Sequence, residues 1–330
     1  MSKISKKSVC VIGGGTGTIP VLSGLKKIGG IELSVIVSMS DDGGSNQIVR
    51  DEFGLLPLSD IRKSIIALAS TDNLTLRKLF NYRFEKGNGL SGHTIGNLIM
   101  MALSDMEGDE LGAIKKASHL FNCKGKIIPV TLEKTVLMAE CSDGKIISEE
   151  HNIDKPQGRA SCKIKSVFFK NPVPANPDAV STILEADYIV IGPGDIYTSL
   201  IPNLLFPEII NAFVKTKAKI IYIVNLITKN GQTTNMSATD LVKIITENIH
   251  RKIDYVIMNN KTFPSNVLKK YEEAGEKPIK DDLTQTPEYE IIRADVLSPH
   301  IYTQEKGDWL VRSLIRHDAE KIAEVLDSII

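Results

Sequence analysis

A short apolar run, Val9 to Ile12, meets a glycine loop at Gly13; helical residues follow from Pro20 to Lys27, then a β-rich run from Leu33 to Met39. This order constrains the chain more than any other feature. Strand, loop, helix and strand make a β–α–β unit, which requires two parallel strands joined by a right-handed crossover. Four glycines, Gly13, Gly14, Gly15 and Gly17, crowd the loop. They let backbone N–H groups approach an anion at the start of a helix, and Thr16 adds a hydroxyl. A tight strand-to-helix turn without a ligand has the same composition.

The loop is not of the dinucleotide type. That fingerprint is G-x-G-x-x-G with an acid at the end of the second strand. Counting from Gly13, the third glycine position holds Thr18; counting from Gly15, it holds Pro20. Asp41 and Asp42 do follow the second strand, but inside "SDDGGSN", a second flexible turn, not as a lone ribose ligand. A nicotinamide-dependent dehydrogenase is therefore disfavoured.

The rest of the chain keeps an α/β rhythm with one interruption. "LSDIRKSIIALAS" reads as a helix capped by Ser59 or Asp60, and "SGHTIGNLIMMALSD", residues 91–105, as a mostly buried helix. Residues 127–170 change character. Asp143-Gly144 reads as a hairpin turn there, so the segment is expected to be an antiparallel excursion extending the sheet. Strands then resume at "DYIVIGPGD", "AKIIYIVNL" and "IDYVIMNN". Ser237 and Asp240 stand three apart ahead of an apolar stripe, as in a capping box. The fold expected is one α/β domain over 1–330, a Rossmann-like parallel sheet with the excursion inside it and a basic tail at 1–8.

Composition removes several classes. Among 330 residues, 40 Lys plus Arg balance 40 Asp plus Glu, so no global positive field exists to hold nucleic acid. No apolar run approaches the ~18 residues of a membrane span, and the N-terminus lacks a secretory pattern. A cytoplasmic protein is expected. Cys10, Cys123, Cys141 and Cys162 form no C-x-x-C pair, so free thiols are expected in place of a zinc site or a disulfide.

Three further stretches carry polar chemistry. In "SDDGGSN" the adjacent carboxylates Asp41 and Asp42 can hold Mg²⁺ or accept hydrogen bonds from a sugar or base; an exposed turn has the same residues. "GHTIGN" sets His93 and Asn97 four apart, on one face if both are helical. "GPGDIYTS", residues 192–199, is a second glycine-rich turn behind a strand, with hydroxyls on Tyr197, Thr198 and Ser199. Two such turns behind parallel strands suit a ligand with phosphates and a polar body.

In order, "VIGGGTGT", "SDDGGS", "LPLSDIRKSIIAL", "SGHTIGNLI", "IGPGDIYTSLIPNLL", "VNLITKNGQT" and "IRHD" make a chain-long pattern. The sequence resembles the bacterial gluconeogenesis-factor (YvcK-like) family, related to 2-phospho-L-lactate transferase, the CofD protein of coenzyme F420 synthesis. The resemblance implies a CofD-like fold, a cleft at the C-terminal strand ends and a nucleotide-linked ligand. In the gluconeogenesis-factor branch that ligand is expected to be a UDP-sugar such as UDP-N-acetylglucosamine, in a regulator of carbon metabolism, cell-wall synthesis and cell shape. The alternative is a Mg²⁺-dependent transferase moving a phospholactyl-type group from a guanosine diphosphate carrier to the deazaflavin Fo. Self-association into a homo-oligomer is also implied.

Position by position, the resemblance assigns Gly13, Gly14, Gly15, Thr16 and Gly17 to a phosphate loop. It assigns Asp41, Asp42, Gly43, Gly44 and Ser45 to an acidic turn; Asp41 and Asp42 would be the metal ligands of the transferase alternative. Asp60 and Arg62 match D-I-R, and His93 and Asn97 match G-H-x-x-G-N. Gly192, Gly194, Tyr197, Thr198, Ser199 and Asn203 match the second turn, Asn225 and Thr228 match N-x-x-T, and Tyr271 and Arg316 are implied nucleotide-sugar contacts. Three positions depart from the pattern. Ile48 replaces an arginine of the acidic turn, leaving Arg50; Asp195 replaces the serine after G-P-G; and Gln232 replaces a glutamate. A carboxylate at Asp195 repels a phosphate unless a metal or cation intervenes.

Overall fold

The computed structural model describes residues 6–41, 56–70, 74–87, 89–154, 162–302 and 313–330. Strand β1 (Lys7–Gly13) leads through the glycine loop into α1 (Thr18–Leu25) and β2 (Ile31–Val37). Val9, Cys10, Val11 and Ile12 are wholly buried. An unbroken apolar run of this kind marks a parallel strand covered on both faces. Helices α2 (Ser59–Leu68), α3 (Leu74–Asn81), α4 (Ile95–Glu107) and α5 (Glu110–Leu120) precede β3 (Lys126–Pro129). Three strands come next, β4 (Leu137–Cys141), β5 (Ile146–Ser148) and β6 (Ile164–Phe169), with the short helix α6 (Glu150–Asp154) between the last two.

The alternation then resumes with α7 (Pro177–Glu185), β7 (Tyr188–Ile191), α8 (Pro207–Lys215), β8 (Lys219–Ile223), α9 (Ala238–Ile249), β9 (Tyr255–Asn259), α10 (Ser265–Glu273), β10 (Glu290–Ala294) and α11 (Ala319–Asp327). Local chemistry sets several of these starts. The Asn176 side chain caps α7 ahead of Pro177, Ser237 and Asp240 form a reciprocal capping box on α9, and Asp318 accepts from two amides of α11.

Seven strands pair in parallel in the order β10-β9-β8-β7-β1-β2-β3. From β1 the chain builds outward through β2 to β3. It then returns to lay β7 against the other side of β1 and builds away through β8, β9 and β10. The direction of winding reverses between β1 and β7, and such a reversal opens a crevice at the carboxyl ends of the two strands. The glycine loop leaves β1 there, and the second glycine turn leaves β7 beside it.

The excursion is smaller than expected and separate. Residues 127–129 belong to the parallel sheet, where Ile127 pairs with Val35 and Ile128 with Ile36. Among the described residues of the excursion, β4, β5 and β6 are antiparallel, in a three-stranded sheet of order β5-β4-β6, not an extension of the main one. The Asp143-Gly144 turn does join β4 to β5, with Gly144 at φ +84°. The inward residues of this small sheet, Leu137, Ala139, Ile147, Ile164 and Val167, continue the core of the parallel sheet. The expectation of four free thiols is corrected here as well. Pairing of β4 with β6 brings Cys141 and Cys162 together, and they form a disulfide with Cα atoms 5.6 Å apart. Cys10 and Cys123 are free. Among the described residues no helix is long and apolar enough to cross a membrane.

Candidate functional site

The two glycine turns pack on each other. A Cβ on Gly17 would land on the Pro193 carbonyl oxygen and lie 3.3 Å from the Gly194 Cα. Gly15 adopts φ +66°, and a Cβ there would meet the Ser199 hydroxyl oxygen at 3.4 Å. A Cβ on Gly14 would fall 2.5 Å from Asp60 Oδ2. The glycines of the first loop therefore serve the chain's own packing at Gly17 and Gly14, besides freeing backbone amides. Thr18 Oγ1 donates to the Gly14 carbonyl at 3.0 Å, and no side chain caps the start of α1. Pro20, in the first turn, brings no N–H, so the amides just before it are the helix dipole's positive end.

Beyond Asp195 the second turn does not run into an ordinary α-helix. Ile196–Leu200 forms one wide turn with i to i+5 bonding, and Ile201–Asn203 a tight one. Two asparagines hold this irregular backbone. Asn203 Nδ2 donates to the Ser199 carbonyl at 2.8 Å, with a longer 3.5 Å approach to the Gly13 carbonyl. Asn225, just past β8, donates from Nδ2 to the Gly194 carbonyl at 2.8 Å. Each asparagine spends its amide nitrogen on the scaffold. Asn203 Oδ1, Asn225 Oδ1 and Thr198 Oγ1 are buried without a hydrogen-bond partner among the described residues. Buried acceptors are costly when left unmet. All three lie on or beside the pair of glycine turns, Asn203 bound to the Ser199 carbonyl and Asn225 to the Gly194 carbonyl.

Of the other expected residues, Asp60 reaches the first glycine loop, whereas Arg62, His93, Asn97 and Tyr197 are held by their own elements or by helix neighbours. Asp60 stands in the first turn of α2, not at its cap: Leu58 holds the cap position and offers no side-chain bond. The Asp60 carboxylate faces Gly14 and accepts from Lys63 Nζ at 2.7 Å. Arg62, buried on the same helix, donates to Asn81 Oδ1 at 2.9 Å and lies against Gly96 of α4. His93 and Asn97 do not share a helical face. Thr94 is the extended N-cap of α4 and accepts from the Asn97 amide at 3.1 Å, so His93 lies before the helix. Tyr197 is buried, and burial raises its phenol above the usual value.

Three residues already have structural employment. Thr228 Oγ1 accepts from the Lys277 amide at 2.9 Å, and the Tyr271 hydroxyl accepts from the Ile315 amide at 3.0 Å inside a small apolar cluster with Leu226 and Leu297. Arg316 stacks its guanidinium 4.0 Å from the Tyr302 ring centroid. Asp41 is half-buried just past β2. Asp42, Gly43, Gly44 and Ser45 lie outside the described residues, as do Ile48 and Arg50.

Two features at this end of the sheet involve residues to which the motifs assign no role, Lys229 and His317 among them. Lys229 bridges Asp195 and Asp154 at 3.3 and 3.1 Å, and Gln232 Nε2 reaches Asp154 Oδ1 at 3.4 Å. The carboxylate at Asp195 is the signal that could have found them, since it requires a cation nearby. His317 is buried, with Nε2 unpartnered among the described residues. Burial lowers its imidazole to about 4, and the Val224 carbonyl only partly opposes this.

Known proteins are similar to this chain in sequence and in architecture. The family model described as 2-phospho-L-lactate transferase CofD matches residues 9–297. The gluconeogenesis factor of Bacillus subtilis is 36% identical over 323 residues, covering 97% of each chain. The gluconeogenesis factor of Listeria innocua is 38% identical over 332 residues, covering 99% of this chain and 96% of the relative. The crystal structure of a UPF0052 family protein from Bacillus halodurans superposes with a TM-score of 0.85 at 32% identity, covering 97% of this chain and 98% of that one.

Proposed function

The chain belongs to the CofD family, among relatives named gluconeogenesis factor, and from that premise we propose that it binds a nucleoside-diphosphate sugar, of the UDP-N-acetylglucosamine kind, at the β1/β7 switch point. As a regulator it would report that ligand's level to gluconeogenic carbon metabolism, cell-wall synthesis and cell shape. One observation carries the reading. The two glycine turns meet where the sheet reverses, and the unmet acceptors of Thr198, Asn203 and Asn225 surround their junction. The uncapped start of α1 suits a diphosphate, and the unmet acceptors suit the hydroxyl and amide donors of a sugar and base.

A second reading is favoured by the description of the matching family model, a 2-phospho-L-lactate transferase. It calls for Mg²⁺ at Asp41 and Asp42, where the ion would neutralise developing phosphate charge. Of that pair only Asp41 is among the described residues, and among these no three His, Cys, Asp or Glu side chains converge as a metal site.

Calorimetric titration separates the readings. UDP-N-acetylglucosamine binding without turnover, weakened in Asn225→Ala, is the expected result. Preference for GDP, dependent on Mg²⁺ and lost in Asp41→Ala, would replace the regulator with the transferase. Binding of NAD⁺ alone would contradict both.

A further inference from the structure

Asp195 gives the second glycine turn a carboxylate, and its surroundings limit what that carboxylate can bind. The Asp195 carbonyl accepts from the Ser199 and Leu200 amides at 2.8 and 3.0 Å and so starts the wide turn. The side chain caps nothing and stays half-buried. Lys229 Nζ meets its Oδ2 at 3.3 Å, and the same ammonium meets Asp154 Oδ1 at 3.1 Å. A carboxylate has about four lone-pair sites on its two oxygens, so one lysine bond leaves most of its accepting capacity in hand.

The neighbours of Asp195 present oxygens too. Gly194, just before it, is held through its carbonyl by Asn225 Nδ2 at 2.8 Å, which leaves Asn225 Oδ1 unmet among the described residues. Thr198, three residues on, is 5% exposed with Oγ1 unmet among them, and Asn203, 1% exposed, binds the Ser199 carbonyl and leaves Oδ1 unmet. The first glycine loop has the opposite character. It leads into the uncapped amides of α1, and the carboxylate facing it, Asp60, is buried and paired with Lys63 at 2.7 Å. Diphosphate oxygens only accept, so the amides of the first loop suit them and the oxygens of the second turn do not. Sugar hydroxyls donate, and a bond from a hydroxyl to a carboxylate is among the strong ones.

We propose that Asp195 is a specificity-determining residue that accepts hydrogen bonds from the hydroxyls of a sugar ring, so that the ligand lies with its diphosphate at the first glycine loop and a hydroxylated ring at the second turn. Lys229 is then a positioning residue that holds the carboxylate in place. The inference rests on the reading of a nucleoside-diphosphate sugar in this crevice. Hexose and ribose offer the same hydroxyl chemistry, and the test tells them apart.

The test is calorimetry on the natural sequence, on Asp195→Asn, which keeps the shape and removes the charge, and on Asp195→Ser. The ligands are UDP-N-acetylglucosamine, UDP, which lacks the hexose, and 2′-deoxy-UDP-N-acetylglucosamine, which lacks a ribose hydroxyl, each with and without Mg²⁺. Loss of a hydrogen bond to a charged group should weaken UDP-N-acetylglucosamine binding by about ten- to hundredfold in both variants. That loss should vanish with UDP if Asp195 reads the hexose, and shrink with the 2′-deoxy ligand if it reads the ribose. The ligand that keeps its affinity also shows that the variant is folded. Equal losses on all three ligands in both variants overturn the proposal, as does unchanged or tighter binding of UDP-N-acetylglucosamine. Mg²⁺-dependent binding that becomes independent of Mg²⁺ in Asp195→Asn overturns it too, because the carboxylate would then hold a cation against the diphosphate. If the natural sequence binds none of the three, the functional reading has failed and the proposal falls with it.

Discussion

Gly17 has a helical backbone, φ −66° and ψ −34°, that alanine tolerates well. Space forbids the substitution, because the Cβ would overlap the Pro193 carbonyl. Gly17→Ala is expected to cost about 1–3 kcal/mol and to weaken ligand binding by parting the two turns. Gly29, with nothing within 4 Å of its Cβ, is the control, and Gly29→Ala should leave the thermal midpoint nearly unchanged. His317 makes a pH prediction at the same scale. Its folded-state value, about 4, lies below the ordinary histidine value of 6.5. A depressed value means that the neutral imidazole favours the fold above about pH 6.5, and this contribution is lost as pH falls toward 4. Full loss amounts to about 3 kcal/mol. His317→Gln should therefore show a flatter fall in denaturation midpoint between about pH 7 and 4.5 than the natural sequence.

Elements divide into those whose cause is local and those whose cause is not. The capping box on α9 is legible because Ser237 and Asp240 act within one turn. The hairpin at Asp143-Gly144 is legible because the turn demands φ > 0 at Gly144. Helix α4 starts later than its sequence suggests because Thr94, not an upstream residue, accepts the Asn97 amide and releases His93 from the helix. The 126–129 strand reads as part of the excursion because its apolar run is like those of β4 and β6; only its pairing with β2 tells them apart. The disulfide depends on the β4–β6 register, which no residue spacing announces. It closes a separation of 21 residues, so its loss should cost about 3 kcal/mol. A Cys141→Ala/Cys162→Ala variant is expected to exchange amide hydrogens faster across 137–169, with β1, β7 and β8 unchanged. Equal protection throughout the excursion would contradict this assignment.

At the scale of the molecule, the first β–α–β unit is enough to imply a parallel sheet, since a crossover of one hand results from local sterics. Strand order is not legible. That β7 lies beside β1 emerges only from tertiary pairing, and this neighbourhood is what turns two separate glycine motifs into one crevice. The Asp154–Lys229–Asp195 cluster is hidden for the same reason, since it draws on three segments far apart in sequence. Hydrogen exchange with and without UDP-N-acetylglucosamine tests whether the ligand sits at the β1/β7 switch point. Protection should rise together in residues 13–19, 194–204 and 225–233, the segments that converge at the β1/β7 switch point. Binding that protects other segments and leaves these three unchanged would contradict it.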